Sequence, residues 1–385
     1  LIPVGAIDPL TVVATSGSGT YSILAAPGSF ILKFVDVTGA YSAGFYRSTV
    51  SSGFTKDMTA ATAVTVGTSP VAANPVQMPL YNTATRQSGA DRYATAATIS
   101  RATTPAHTPV VYVATGLNFP DALAAAAAAG HIGAPILLVQ TLGIPTPTKT
   151  ELTRLKPGKI IIAGGTGVVS NAVATQLQGY TTGAVERQSG VNRYATAASV
   201  SFHTFGVGVP VVYIATGLNF PDALAAAAAA GTLGGPVLLV GPTSIPTATA
   251  DELNRLKPAH IIVAGGTGVV SNGVATQLIA FTSGGVERQS GANRYATAAS
   301  VSSHTFAPGV PIVYVATGLN FPDALAAAAA AGRLGGPVLL VGPTSIPADT
   351  QAELSRLKPG RIVVAGGSGV VSDAVLNQLA GYLVP

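Results

Sequence analysis

The sequence predicts an α/β protein: three tandem parallel-sheet, three-layer modules preceded by a small β-sandwich domain. Three observations carry this. The string R-Q-S-G-x-[D/N]-R-Y-A-T-A-A begins at Arg86, Arg187 and Arg288, so the chain repeats with a period of 101 residues. Inside each period, apolar β-branched runs alternate with helical stretches, the signature of βα units with helices on both faces of a parallel sheet. Before the repeats, short β-prone runs are separated by Gly/Ser turns. A fixed period sets the architecture before any residue is assigned a role.

Residues 1–66 supply the β domain. Gly19–Leu24 and Gly28–Phe34 read as strands of near period two, continued by Phe45-Tyr46 and Thr62–Val66. The order G-T-Y-S-I-L-A-A-P-G-S-F-I-L-K-F-V-D resembles the carboxypeptidase-regulatory-like or prealbumin-like spacer domains of bacterial surface proteins. Residues 67–83, with Pro70, Pro75 and Pro79, read as a linker of limited flexibility.

The first copy then unfolds in order. Thr85-Arg86-Gln87 predicts a short strand leading to a helix over 91–102. Pro109–Thr115 is a strand, followed by an alanine-rich helix from Pro120. Pro135–Val139 and Lys159–Ala163 are strands; Pro147–Lys156 and Ser170–Tyr180 are helices. Each copy is thus read as four βα units, with modules at 84–186, 187–287 and 288–385. Leu123 is followed by six alanines through Ala129. Alanine has the best helix propensity but buries little area, so this helix packs either tightly on its own sheet or on a neighbouring copy as well. Pro120 suits a first helical turn. Asp121, Asp222 and Asp323 complement that helix N-terminus or contact a ligand.

Composition excludes several functions. Cysteine is absent, which removes disulfides, thiolate nucleophiles and thiolate-bound metals. The net charge of +5 favours anionic partners, but no Lys/Arg-rich run marks nucleic-acid binding. No apolar run of membrane-spanning length is visible, so no membrane insertion is expected. The start, Leu-Ile-Pro-Val-Gly, has no basic region and does not read as a signal peptide.

Ala-Gly-Gly-[Thr/Ser]-Gly-Val-Val-Ser, beginning at Ala163, Ala264 and Ala365, is similar to a dinucleotide-binding turn. It reads G-x-G-x-x-S and has no recurring ribose-binding acid downstream; Glu186 and Glu287 precede arginines instead. The plainer reading is a tight turn with Ser170, Ser271 or Ser372 as helix N-cap. No metal motif or nucleophile elbow appears, so neither a cofactor nor an enzyme is expected. Tyr112, Tyr213 and Tyr314 sit within apolar strands and read as core; Phe119, Phe220 and Phe321 read as core wedges between strand and helix.

Together, R-x-x-G-x-[D/N]-R-Y-x-T-A, V-A-T-G-x-N-F-P-D-A-L, P-[I/V]-L-L-V and A-G-G-x-G-V-V-S resemble the type-2 cell-wall-binding repeat family of Gram-positive bacteria, over about 300 residues and in triplicate. The resemblance implies non-catalytic modules in a pseudo-threefold block that hold secreted proteins at the cell surface on anionic wall polymers. It implies polymer contact at Arg86 and Arg92, Arg187 and Arg193, Arg288 and Arg294. It also places Ile136–Leu138, Val237–Leu239 and Val338–Leu340 near that region. Tyr93, Tyr194 and Tyr295, beside the arginines, are candidates for mixed contact. Arginine offers a planar fork of donors for phosphate or carboxylate and keeps its charge. The competing reading is internal pairing. Arg92 stands in a first helical turn, where a cation needs a partner; Asp91 is adjacent, but the other copies carry Asn192 and Asn293. The alternative function is an S-layer or adhesin subunit whose partners are other surface proteins. Copy two (187–287) holds four basic residues against seven in copy one (86–186), which would make it the weaker contributor.

Overall fold

The computed structural model describes residues 2–3, 28–34, 44–46, 54–55, 63–66 and 83–383. The chain divides into two compact units, 1–81 and 82–385. In the first, β1 (Ile2–Pro3), β2 (Gly28–Ile31) and β6 (Ala63–Val66) form an antiparallel sheet in the order β1-β2-β6. A second antiparallel sheet joins β3 (Lys33–Phe34), β4 (Gly44–Tyr46) and β5 (Phe54–Thr55). The strand expected at Gly19–Leu24 and the linker up to residue 82 lie outside the described residues.

The second unit begins with β7 (Thr83–Gln87) and α1 (Arg92–Thr103). Copy one continues through β8 (Val110–Thr115), α2 (Pro120–Ile132), β9 (Ile136–Val139), α3 (Thr146–Leu155), β10 (Lys159–Ala163) and α4 (Asn171–Leu177). Copy two runs through β11 (Val185–Gln188), α5 (Arg193–Thr204), β12 (Val211–Thr216), α6 (Pro221–Leu233), β13 (Val237–Val240), α7 (Thr247–Leu256), β14 (His260–Ala264) and α8 (Asn272–Leu278). Copy three repeats it with β15 (Val286–Gln289), α9 (Arg294–Thr305), β16 (Val313–Thr317), α10 (Pro322–Leu334), β17 (Val338–Val341), α11 (Ala348–Leu357), β18 (Arg361–Ala365) and α12 (Asp373–Leu379). The helix starts are legible locally: Asp91 caps α1 by accepting from the Ala94 N–H, and Ser170, Ser271 and Ser372 cap α4, α8 and α12 as the sequence predicts.

The sheets do not follow the sequence period. Their orders are β9-β8-β10-β11, β13-β12-β14-β15 and β17-β16-β18-β7. Each sheet takes three strands from one copy and the Arg-Gln strand from the next. Copy one's own strand, β7, closes the cycle by pairing in parallel with β18, Val364 opposite Arg86. The expectation of four strands from a single copy is therefore revised: the Arg-Gln strand is an arm lent to the preceding sheet. It carries only one strongly buried residue per copy (Gln87, Gln188, Gln289), so its sequence does not reveal which sheet it joins.

Alternation across each sheet builds three layers. In copy one, Val111, Val113, Leu137, Val139, Ile160 and Ile162 face α3 and α4 through Leu152, Leu155, Val173 and Leu177. Tyr112, Ala114, Ile136, Leu138 and Ile161 face the alanine helix α2. Both readings of that helix hold at once: α2 packs on its own β8, and α2, α6 and α10 also pack on one another. Small side chains let three backbones meet about a pseudo-threefold axis. A Cβ placed on Gly231 would lie 3.2 Å from the Ala127 carbonyl oxygen and 3.4 Å from the Gly130 Cα. At the N-terminal end of these helices Phe119, Phe220 and Phe321 form a triangle with ring centroids 5.9–6.0 Å apart. The core is consequently shared by all three copies rather than divided into three.

Polar ties bind neighbours further. Tyr112, fully buried as the sequence predicts, bonds its hydroxyl to Thr204 of copy two at 3.0 Å, and Tyr213 does the same with Thr305 of copy three. In each copy a buried glutamate (Glu151, Glu252, Glu353) holds an arginine three residues on and accepts from a serine on α1, α5 or α9. Among the described residues no helix is long and apolar enough to cross a membrane.

Candidate functional site

In an open parallel sheet, the loops leaving the C-terminal ends of two strands part where the strand order reverses, and ligands favour the crevice so opened. Here that point lies between β8 and β10, β12 and β14, and β16 and β18. In the third sheet, Asn320, Pro322 and Asp323 follow β16 while Gly367, Gly369 and Val370 follow β18. The remaining wall comes from copy one, Gly89 to Arg92 and Thr95, because β7 delivers that loop into this sheet. Together they enclose a groove of about 310 Å³ at the seam between copies three and one.

Asp323 stands at the first turn of α10 and meets α1 across this seam. Burial raises its pKa; the Thr95 hydroxyl and the Arg92 charge oppose the rise, and Asp91 adds to it. The same triad recurs at the other seams: Asp121 with Thr196 and Arg193, and Asp222 with Thr297 and Arg294. The first glycine after β18 makes room for this carboxylate. Gly366 has φ +110°, and a Cβ there would lie 2.6 Å from Asp323 Oδ2. The dinucleotide-like turn is thus shaped by the aspartate it covers.

The second arginine of the first motif, Arg92, lines the groove, and its counterparts make the same bond at the other seams. Arg92 donates to the Gly116 carbonyl at 2.5 Å, and Arg193 and Arg294 donate equivalently to Gly217 and Gly318. The cation in the first helical turn is balanced by a carboxylate of the preceding copy, not by Asp91, whose side chain is occupied as the N-cap. The first arginine is a clamp. Arg86 donates to the Gly366 carbonyl at 2.7 Å and to Asp373 at 2.8 Å; Arg187 and Arg288 donate to the Gly164 and Gly265 carbonyls at 2.7 Å. Burial lowers the pKa of Arg187 and Arg288.

The tyrosines beside them are placed differently. Tyr93 is 7% exposed and belongs to the shared core, while Tyr194 and Tyr295 are half-buried against it. Their rings lie against the glycine backbones at 116, 217 and 318. Ile136, Leu137 and Leu138 are buried in β9. Sequence reasoning missed Thr95, Thr196 and Thr297 as partners of the aspartates. The signal was their recurrence in all three copies at a buried helical position.

Among the described residues no group of three His, Asp or Glu could hold a metal. Two of the three seams carry Asn192 or Asn293 where the first has Asp91, leaving the aspartate of α2 or α6 as the carboxylate of that triad.

Comparison with known proteins agrees with this architecture. The model of the cell wall binding domain 2 (CWB2) family matches residues 86–174, 187–275 and 288–376. The chain is 31% identical over 303 residues to N-acetylmuramoyl-L-alanine amidase LytC of Bacillus subtilis, covering 79% of this chain and 59% of that protein. It is 28% identical over 295 residues to the amidase enhancer of the same organism, covering 77% and 40%. The chain thus spans less than two thirds of the length of these relatives. Among solved structures, Cwp6 from Clostridium difficile superposes with a TM-score of 0.73 at 27% identity, covering 84% of this chain and 52% of that one. Cwp8 from the same organism superposes at 0.70 and 24% identity, covering 78% and 52%, and shows the fold. Three tandem matches over most of the chain, with the fold they require, show that the protein belongs to the cell wall binding domain 2 family.

Proposed function

We propose that residues 84–385 attach the protein to the cell wall as a non-catalytic, multivalent binder of anionic wall polymer. The observation that carries this is the threefold recurrence at the seams of an aspartate, a threonine and an arginine of fixed charge, Arg92, Arg193 or Arg294, the first of which lines an open groove. Their Nη1 groups are held by glycine carbonyls, which fixes each guanidinium at its seam, and a guanidinium's further donors suit phosphate or carboxylate oxygens. Arg86, Arg187 and Arg288 act behind them by fixing the glycine turns. A single exposed ion pair is worth about 0–1 kcal/mol. Three on a polymer of repeating charge act in concert, and avidity rises by about 10² to 10⁴.

A hydrolytic reading is less well supported. Acid–base cleavage needs a second positioned acid, base or nucleophile, and the aspartate in each triad is already engaged by a threonine and an arginine.

The test replaces Arg92, Arg193 and Arg294 together by Gln in the full chain. Sedimentation with purified Bacillus subtilis walls should weaken, and the remaining binding should depend less on salt. Unchanged binding and salt dependence would remove the groove arginines from the polymer site.

One observation favours assembly with other surface proteins as a second reading. Leu117, Leu218 and Leu319 are 58–59% exposed in the loops that carry the phenylalanine triangle, an apolar surface on the pseudo-threefold axis.

A further inference from the structure

We propose that the Leu-Lys-Pro turns at the opposite edge of each sheet form a second contact surface for the anionic polymer, with Lys156, Lys257 and Lys358 as its cations. This rests on the reading of the block as a polymer binder.

These lysines end α3, α7 and α11 in left-handed backbone, with φ of 41°, 46° and 45°. That region is unfavourable for an L-residue and natural for glycine. A following proline disfavours helical backbone in its predecessor still more. The backbone at this position therefore selects against lysine, yet lysine stands there in all three copies. A cation does suit a helix C-terminus, but the last turns of these helices already hold Arg154, Arg255 and Arg356.

The lysines are also available. The clamp arginines Arg86, Arg187 and Arg288 and the arginines of the buried glutamate pairs are bonded within the block. Lys156, Lys257 and Lys358 are exposed, and their side chains make no hydrogen bond or ion pair with the described residues. Neighbouring exposed positions drift between copies, as in Thr153, Asn254 and Ser355, while the lysine does not. Three residues on, at the first position of β10, β14 and β18, the side chain is again basic: Lys159, His260 and Arg361. The acids at this end are engaged, Glu186 by Lys159 at 2.7 Å and Glu287 by the Gln289 amide, which donates to it at 3.1 Å.

Placement separates this surface from the groove: the turns precede the N-terminal ends of β10, β14 and β18, whereas the groove lies beyond C-terminal strand ends. One lysine per copy gives three equivalent cations, and multivalency multiplies weak contacts on a polymer of repeating charge.

Glycine makes the test clean, because it suits the backbone while deleting the charge. In the full chain, Lys156→Gly, Lys257→Gly and Lys358→Gly together should leave the denaturation midpoint unchanged or raised. Apparent affinity for purified Bacillus subtilis walls should fall about tenfold or more, with a shallower salt dependence. The triple Lys→Arg variant should keep wild-type affinity. Wild-type affinity and salt dependence in the glycine variant would overturn the lysine surface while leaving the groove reading standing. Failure of the wild-type chain to bind the walls would overturn the polymer reading itself, and this surface with it.

Discussion

Gly231 lies where α2, α6 and α10 converge, and replacing it by alanine sets two effects of opposite sign against each other. In an ordinary helix, Gly→Ala is favourable by about 0.8–1.0 kcal/mol because alanine loses less backbone entropy. Here the new Cβ would stand 3.2 Å from the Ala127 carbonyl oxygen, 3.4 Å from the Gly130 Cα and 3.4 Å from the His131 nitrogen. All three are backbone atoms of a neighbouring helix, so no side chain can swing aside. Overpacking of a dense core costs about 1–3 kcal/mol, which leaves Gly231→Ala destabilising by about 0–2 kcal/mol. Gly231→Val adds two methyl groups to the same gap and should cost about 3 kcal/mol or more. Guanidinium unfolding followed by helical circular dichroism reports on this directly, since every described α-helix lies in the second unit. A gain of about 1 kcal/mol in Gly231→Ala would show that the three helices do not meet as described.

Other substitutions test the seams. Arg86→Ala removes two charge-assisted bonds from the strand that closes the cycle and should cost about 2–4 kcal/mol, visible as faster amide exchange in β7 and β18. Asp373→Asn should cost under about 1 kcal/mol, since Asp373 is 71% exposed and copies one and two carry Asn171 and Asn272 there. Glu252→Ala strands Arg255 beside a buried cavity and should cost about 3–5 kcal/mol; adding Arg255→Met should recover part of that loss in the same unfolding assay. The buried aspartates carry a pH signature. Burial raises the folded pKa of Asp121, Asp222 and Asp323 above the ordinary 3.8, so the folded state holds these protons to higher pH than the unfolded chain. Their contribution favours folding at low pH and is lost as pH rises from about 3.8 through the folded values. The triple Asp→Asn variant should therefore gain on the wild type in stability across this window, by urea titration from pH 3.5 to 6; a constant difference would contradict the burial.

The repeat period, the order of strands and helices within it, the serine caps and the buried tyrosines were legible from the sequence because each is local. Apolar runs of four to six residues and a capping serine announce themselves without reference to partners. The role of β7 was not legible. Thr83–Gln87 has the same short, half-polar pattern as β11 and β15, and nothing in it says that it crosses to β18. The alanine helix left its partner open for a related reason: alanine records close approach but not what approaches. The sequence singles out both arginines of each motif but not what each of them bonds. Arg86 and Arg92 are equally basic on paper, and only the carbonyls of Gly366 and Gly116 separate a clamp from a groove wall. Tyr93 looked like a contact residue beside them because a half-polar side chain next to an arginine reads the same whether it faces solvent or the shared core.

Sedimentation of the full chain with purified Bacillus subtilis walls, before and after extraction of their anionic polymers, tests most directly whether the threefold block binds anionic wall polymer. Binding should be strong to intact walls at low salt, should weaken as ionic strength rises, and should be largely lost on the extracted walls. Equal binding to both preparations, insensitive to salt, would contradict it and point to protein or peptidoglycan as the partner.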